Sequence, residues 1–559
     1  MNPKDPSLSD PEAIKSQVEA AVAEEESRRP VDPEPRVEEP DLTELAPGIT
    51  VSDVESAFRS NELGDSFLAI RLMRGKFCYD HVLEKPFRFN CTHWFRDKNC
   101  SWRKALFEVS DLYALRAQHY WDLANQSGEK EDIKRAEAWS KRVNACRKMS
   151  RIRDIWSGST SGDGSLGISG DEWNRTPTLL PCLNAVIDLE TGKPIPPDPK
   201  QYFNKAATAA WKGLHEEAPF WMETIHKALR YQPDLIDYFE YLVGFAATGI
   251  QTKDFICAYG PKGNNGKSVI FEWLLKILGD FAGTIKVEML LEESFMRSPD
   301  GPSPAVLKLR GLRMACTSEA SDKHRFNMAK IKGLCSGGDR MEARGINASD
   351  IVEFVPECTL ILHSNALPKA SGNDEAFYRR LKVLKFDARF IKPEEGPEDK
   401  ENHIYHEISR QEVDRRLAAE APGILAWVVR CAMKALRRGD MPPAPKCVLL
   451  ETNQYRNEQD LVGHFLRECT DPDPLNQEQM KDIYLAFRNW CRKEQMIPDK
   501  VIMSQNKLGS DLKQRPGLER IQSNKTFYKG LRIKTECRVS EEDEEERGHG
   551  KGGYGRNSL

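Results

Sequence analysis

No CxxC pair occurs anywhere in this chain, and its 14 cysteines stand singly from Cys78 to Cys537. In a chain of 559 residues that usage reads as reduced, structural thiols rather than a disulfide framework or a zinc ribbon. The cluster Cys78, His81, Cys91, His93 and Cys100 has no common zinc-module spacing. Trp94 and Trp102 interleave with it as in a packed hairpin, so a plain core is expected there. No apolar run approaches the roughly 18 residues that cross a bilayer. The N-terminal stretch "MNPKDPSLSDPEAIKSQ" lacks the basic and apolar regions of a signal peptide, so a cytoplasmic location without membrane contact is expected. Charge of one sign is also missing: 82 basic against 86 acidic residues leave a net −4. The acids are unevenly placed: "AVAEEESRRPVDPEPRVEEPDLTELAP" and the tail "SEEDEEERGHGKGGYGRNSL" together hold 15 acidic against 6 basic residues, so the middle of the chain is more basic than the total.

What is present divides the chain. Residues 1–50 have too few apolar side chains to order themselves, and 537–559 read the same way. Residues 51–215 form a mixed α+β N-terminal domain, with helical "VESAFRSNELGDSFLAIRLMRGKF" stopping at Gly75. Aromatic-rich hairpin strands in "FRFNCTHWFRDKNCSWRKAL", long helices, and the strand–turn–strand "AVIDLETGK" follow. Residues 216–395 open with helices and then alternate apolar strands with helices, which predicts a mostly parallel sheet covered on both faces. The strands are "DFICAYG", "LRMACTS", "CTLILHSN" and "LKVLKF". Residues 396–450 read as a helical lid. Residues 451–536 end in a basic helix, a turn and paired strands, the outline of a winged helix.

The chemistry gathers at "YGPKGNNGKSV". A phosphate-binding loop is written G-x-x-x-x-G-K-[ST] and lies between a strand and a helix. Here five residues, Pro261, Lys262, Gly263, Asn264 and Asn265, separate Gly260 from Gly266, one more than the pattern holds. Backbone N–H groups from Gly260 to Val269 would surround phosphates, aided by the helix N-terminus. Lys267 would reach the outer phosphates and Ser268 would ligate Mg²⁺. Gly263 and Gly266 are expected to supply positive φ angles, with Asn264 and Asn265 tolerant of them. The extra residue is expected to bulge away from the β- and γ-phosphates. Glu319 follows one strand as an acid able to handle Mg²⁺ and polarise water, and Asn365 follows another as a neutral amide. Arg379 and Arg380 come next, as a finger for a neighbour's nucleotide or as a solvated basic face.

These pieces stand in order, and with "GNNGKS", "LRGLRMACTSEA", "GLCSGGDRMEARGINASDIVEF" and "TLILHSNALPKASGNDEAFYRRLKVLKF" the chain resembles superfamily 3 helicases of the phage/plasmid primase–helicase type. The resemblance runs from about residue 60 to 530, through "LLPCLNAVIDLETGK", "LIDYFEYLVGFAATG" and "ETNQYRNEQDLVGHFLRE". It implies an AAA+-like P-loop ATPase core and ATP with Mg²⁺ as cofactors. It also implies Lys267 and Ser268 in the Walker A roles, Glu319 as the Walker B acid and Asn365 as the sensor. Arg380, or else Arg379, would be the arginine finger, which implies composite sites in a homo-hexameric ring. "SGGDRMEAR" matches the motif whose region reaches the central channel, making Lys330, Lys332, Arg340 and Arg344 candidates for contacts to single-stranded DNA.

The chain departs from that pattern in three places, of which the longer loop is one. Ser318 stands before Glu319, so a second acid is absent there, and no primase domain is evident, so a separate primase is an expected partner. The expectation is an ATP-driven DNA helicase of a phage, prophage or plasmid in a bacterial host. Its alternatives are a bifunctional primase–helicase and a nucleotide-regulated origin-binding protein whose winged helix dominates.

Overall fold

The computed structural model describes residues 43–292, 303–344, 351–370, 374–497, 499 and 502–538. The segments expected to be unstructured lie almost wholly outside this range. Only 43–50 is described of the first, and there Glu44–Ala46 pairs antiparallel with Ile49–Thr50 ahead of a helix.

The chain separates into two compact units, and the expected 51–215 domain is divided between them. One unit holds residues up to Arg74 together with 99–167. Its helices span Val51–Arg59, Asn61–Met73, Phe107–Ser127, Lys130–Cys146 and Met149–Thr160. Asn61, at φ 53°, breaks the first helical stretch in two. The core of this unit is stacked aromatics, with Trp139 lying 4.0 Å from Phe58 and 5.5 Å from Tyr120 between ring centroids. A fully buried carboxylate, Asp65, accepts from Tyr113 at 2.7 Å and Arg151 Nε at 2.9 Å, and Arg142 lies 3.3 Å away. Two guanidinium groups and a phenol therefore replace the water that the charge gave up.

The other unit comprises 75–98 and 168 onward. The aromatic-rich segment forms an antiparallel meander, Phe77–Asp80, Lys85–Phe89 and Trp94–Arg96, as expected from its alternation. Cys78 and Trp94 are buried in its core beside Phe87. Among the described residues, no group of three His, Cys, Asp or Glu side chains is arranged to hold a metal. "AVIDLETGK" gives Val186–Asp188 and Lys193–Ile195, paired antiparallel.

Helices α1 (Pro219–Ala228) and α2 (Pro233–Thr248) each begin on a proline, whose fixed φ suits the first helical turn. They lead into a parallel sheet of β1 (Phe255–Tyr259), β2 (Ala282–Thr284), β3 (Met314–Ser318), β4 (Thr359–Ser364) and β5 (Leu381–Lys385). The spatial order is β2-β3-β4-β1-β5, every pair parallel. Burial on both faces explains the continuous apolar strands. Ile256 and Ala258 join one core with helix α3 (Lys267–Leu278), while Phe255 and Cys257 join another with α4 (Met328–Leu334) and α5 (Glu375–Arg380). Two short parallel strands, β6 (Arg389–Ile391) and β7 (Ile404–His406), follow β5.

The expected lid is not a separate layer. Helix α6 (Ala421–Arg438) packs on α2 and sends Ile424, Leu425, Val428 and Val429 into the core that holds Ile256. The expected boundary at 450 falls inside helix α7 (Lys446–Gln459), which belongs to the sheet. Its Thr452 hydroxyl accepts from Val383 N at 3.0 Å. Beyond it, helices Leu461–Cys469, Met480–Lys493 and α8 (Gln505–Leu512) pack on a three-stranded antiparallel sheet. Strand Thr526–Ile533 is central, between Thr470–Gln479 and Glu519–Gln522. Among the described residues no helix is long and apolar enough to cross a membrane.

Candidate functional site

In open parallel sheets, ligands sit at the carboxyl ends of the strands where the strand order reverses. Here that point is β1, whose chain neighbour β2 lies at the far edge while β5 closes the other side. The glycine loop leaves β1 at this place, between strand and helix as the motif requires.

Gly260 is held by β4, its N–H donating to Ser364 O at 3.1 Å. A side chain could not fit there: a Cβ would stand 2.0 Å from Asn265 Nδ2 and 3.0 Å from Phe386 O. Pro261, Lys262, Gly263 and Asn264 are exposed, while Asn265 and Lys267 are buried. The buried Asn265 amide braces the turn, donating to Lys262 O at 2.7 Å and accepting from Lys267 N at 3.4 Å. The positive φ angles belong to Gly266 (79°) and Asn264 (58°), not to Gly263. Asn264 tolerates this strain because it is tied down: its Nδ2 donates to Phe390 O and to the Glu407 carboxylate, and its carbonyl accepts from Phe390 N at 2.8 Å. The long first half of the loop is thus pinned outward against β6.

Helix α3 starts at Lys267, so its unpaired N–H groups and partial positive charge face the loop. The Lys267 side chain points into the site and donates to Asn365 Oδ1 at 3.0 Å. Burial pushes its ammonium down to about 8. Ser268 beside it is exposed. His363 stacks on Phe271 at 5.5 Å, and burial, with the Lys267 charge adding to it, pushes its imidazole down to about 4. It is therefore neutral near pH 7 and adds no charge to the site.

Register aligns the remaining groups. Ser318 stands opposite His363 and Tyr259 opposite Ser364, so Glu319, Asn365 and Gly260 leave three adjacent strands at nearly one level. Neighbouring strands lie about 4.8 Å apart, within reach of one triphosphate. Glu319 is exposed and sits at φ 64°, a conformation glutamate adopts at a cost of order 1–3 kcal/mol. Ser364 Oγ donates to Ala320 O at 3.0 Å and helps hold that turn. His363 and Ser364 shape the site without having stood out in the sequence, since in "TLILHSN" they read only as strand residues.

The arginines lie elsewhere. Arg379 and Arg380 precede β5, at the amino edge of the sheet, some five residues or ~16 Å from the loop. Arg379 is exposed, whereas Arg380 donates to Ala376 O at 2.9 Å and Cys335 O at 3.3 Å. Lys332 shares that edge and pairs with Asp374 at 2.7 Å. Lys330 is exposed on the same helix. Arg340 pairs with Glu353 at 3.1 Å across the hairpin Met341–Ala343/Val352–Phe354. Arg344 exchanges backbone and side-chain hydrogen bonds with Ser303 and leaves its Nε buried without a partner among the described residues.

The chain is similar to several known proteins. Residues 68–230 match the family model described as D5 N terminal like. A protein named "Putative helicase" from Acanthamoeba polyphaga mimivirus is 23% identical over 427 residues, covering 71% of this chain and 43% of that protein. Proteins of the same name from Frog virus 3 and the Sputnik virophage are 30% and 31% identical, each over 41% of this chain and over 23% and 30% of their own length. The chain thus spans less than half of each of these viral relatives. Solved structures titled as the C-terminal region of NrS-1 are similar at 12% and 11% identity, with TM-scores of 0.39 and 0.38, covering 84% and 79% of this chain and 99% and 83% of theirs.

Proposed function

We propose that this chain, similar over residues 68–230 to the D5 N terminal like family and also to viral proteins named putative helicases, is an ATP-dependent DNA helicase working as a ring of identical subunits, with ATP held in the Gly260–Val269 loop. The observation that carries this reading is the desolvated ammonium of Lys267 at the head of a helix, whose side-chain partner among the described residues is the neutral amide of Asn365. A buried cation beside unpaired N–H groups is built to receive a polyanion. The Ser268 hydroxyl and Glu319 carboxylate offer the hard oxygen donors that Mg²⁺ takes, and bound there the ion would neutralise charge on the outer phosphates.

In this reading the triphosphate displaces Asn365 from Lys267, and the ammonium holds the transferring phosphoryl oxygens. The freed Asn365 orients a water whose proton Glu319 accepts, and that water attacks the γ-phosphorus in line with the departing ADP oxygen. A finger from the amino edge of a neighbouring subunit completes the charge, since Arg379 and Arg380 are too far from their own loop. Lys330, Lys332, Arg340 and Arg344 would contact strand phosphates in the channel. A separate primase remains the proposed partner. The named relatives are viral, so we extend the setting from a phage or plasmid to any self-replicating viral element.

The test is DNA-stimulated hydrolysis with forked substrates of either tail polarity. Lys267→Ala should abolish turnover and unwinding with the fold intact, and wild-type-like turnover in that variant would sink the assignment.

A second reading, a nucleotide-regulated duplex-binding protein, is favoured by one feature. Between Leu461 and Arg538 the chain has 15 basic and 10 acidic residues. Lys507 and Lys513, at and just beyond α8, and Lys529 on the hairpin have no acidic partner among the described residues. Duplex affinity without DNA-stimulated turnover would support it.

A further inference from the structure

Beside the loop lies an aromatic and polar cluster that phosphate chemistry does not use. Gly266 packs against it so closely that a Cβ there would stand 3.1 Å from Ala228 Cβ and 3.2 Å from Phe390 Cε2. Phe390 is half-buried, and its main chain is locked to the loop from both sides by Asn264. Behind it, the Tyr405 ring lies 5.8 Å away between centroids, and Lys227 Nζ sits 5.0 Å over that ring. His403 Nδ1 is 3.3 Å from the Tyr405 hydroxyl.

The turn from α1 into α2 brings polar groups to the same place. Arg230 and Tyr231 are consecutive residues in the left-handed region, at φ 56° and 53°, and Tyr231 is half exposed. Two such residues in a row cost free energy that the surroundings must supply. Arg230 lies 3.4 Å from Asp387, yet its Nε is buried with no hydrogen-bond partner among the described residues. Leaving a buried donor unsatisfied is unfavourable, which marks a group able to receive an acceptor. Burial, then the Arg230 charge, hold the His403 imidazole below its usual value, so this histidine offers a neutral ring.

A triphosphate whose outer groups lie at Lys267 must send its sugar and base off one side of the loop. Phe390 is the aromatic ring in van der Waals range of Gly266 at that side. We propose that Phe390 is the stacking platform for the base of the bound nucleotide, with Arg230 Nε and His403 presented to the polar edge of that base. The proposal rests on the loop being a triphosphate site. Stacking accepts any base through its π-face, and the larger ring system of a purine gains more from it than a pyrimidine.

The experiment compares ATP with inorganic tripolyphosphate, both with Mg²⁺, on the full chain by calorimetry. Phe390→Ala should weaken ATP roughly 10-fold and leave tripolyphosphate unchanged. Phe390→Trp should keep ATP affinity, and its added indole fluorescence should change with ATP but not with tripolyphosphate. Equal loss of both ligands in Phe390→Ala would make the ring a mere prop for the loop and overturn the proposal, as would loss of neither. A wild-type chain that ignores tripolyphosphate, or a Lys267→Ala chain that binds it normally, would instead overturn the loop assignment.

Discussion

Lys267 titrates where pH can report on it. Its ordinary value is 10.5 and burial brings it to about 8, so the folded chain gives up this proton more easily than the unfolded one. Below about 8 the buried charge opposes folding, and this opposition lifts as the pH climbs from about 8 to 10.5. For the proposed nucleotide the sign reverses, because the ammonium would be what attracts phosphate. ATP affinity measured by calorimetry should therefore fall between pH 7 and 9 in the wild type, and stay weak and flat in Lys267→Gln. Gly260 supports a second expectation at this scale. In Gly260→Ala the new methyl collides with Asn265, the brace of the turn, so nucleotide binding should be lost. The thermal midpoint should fall with it, by an amount matching an overpacking cost of about 1–3 kcal/mol. Gly266, Lys267 and Ser268 were legible in sequence because local spacing defines them. The positive φ of Asn264 was not, because the groups that stabilise it lie 126 and 143 residues further along the chain.

At the scale of elements, four of the five parallel strands could be read from apolar runs bounded by turn residues. The fifth, β2, is only Ala-Gly-Thr at a sheet edge, too short and too weakly apolar to stand out. The packing of Ala421–Arg438 into the shared core and the run of Lys446–Gln459 through residue 450 went unread for one reason. Helical periodicity shows which face is buried but not what buries it. Arg313 was likewise invisible as a structural residue. It is fully buried, and its guanidinium donates to Ala247 O and Leu179 O, both at 2.8 Å, so it closes the C-terminal end of α2 over the Phe281 ring. Arg313→Ala should destabilise the unit by about 3 kcal/mol in urea unfolding, since it orphans carbonyls that a charged donor now satisfies. The helices and antiparallel sheet between Leu461 and Ile533 have their own test. Leu508 and Leu512 anchor α8 while Asn506, Lys507, Ser510 and Lys513 face outward. Lys507→Glu with Lys513→Glu should lower duplex affinity and flatten its salt dependence, with basal ATP turnover unchanged.

At the scale of the whole molecule, the ordered run of loop, acid, amide and arginine pair was legible, and so was the kinship to helicases. The division of the N-terminal region into two units was not, because 75–98 leaves its sequence neighbours to join residues beyond 168. The opposite placement of Lys267 and Arg380 on the sheet allows a test of shared sites. Neither Lys267→Ala nor Arg380→Ala should hydrolyse ATP alone, yet mixing the two should restore turnover in proportion to dose, read by phosphate release. Absence of rescue in intact assemblies would count against shared sites. If the proposed ring reading holds, a sheet that keeps the phosphate loop on one edge and the arginines on the other would also make dilution an off state. A lone subunit would hold fuel without the means to burn it, so specific activity should rise with protein concentration until assembly is complete.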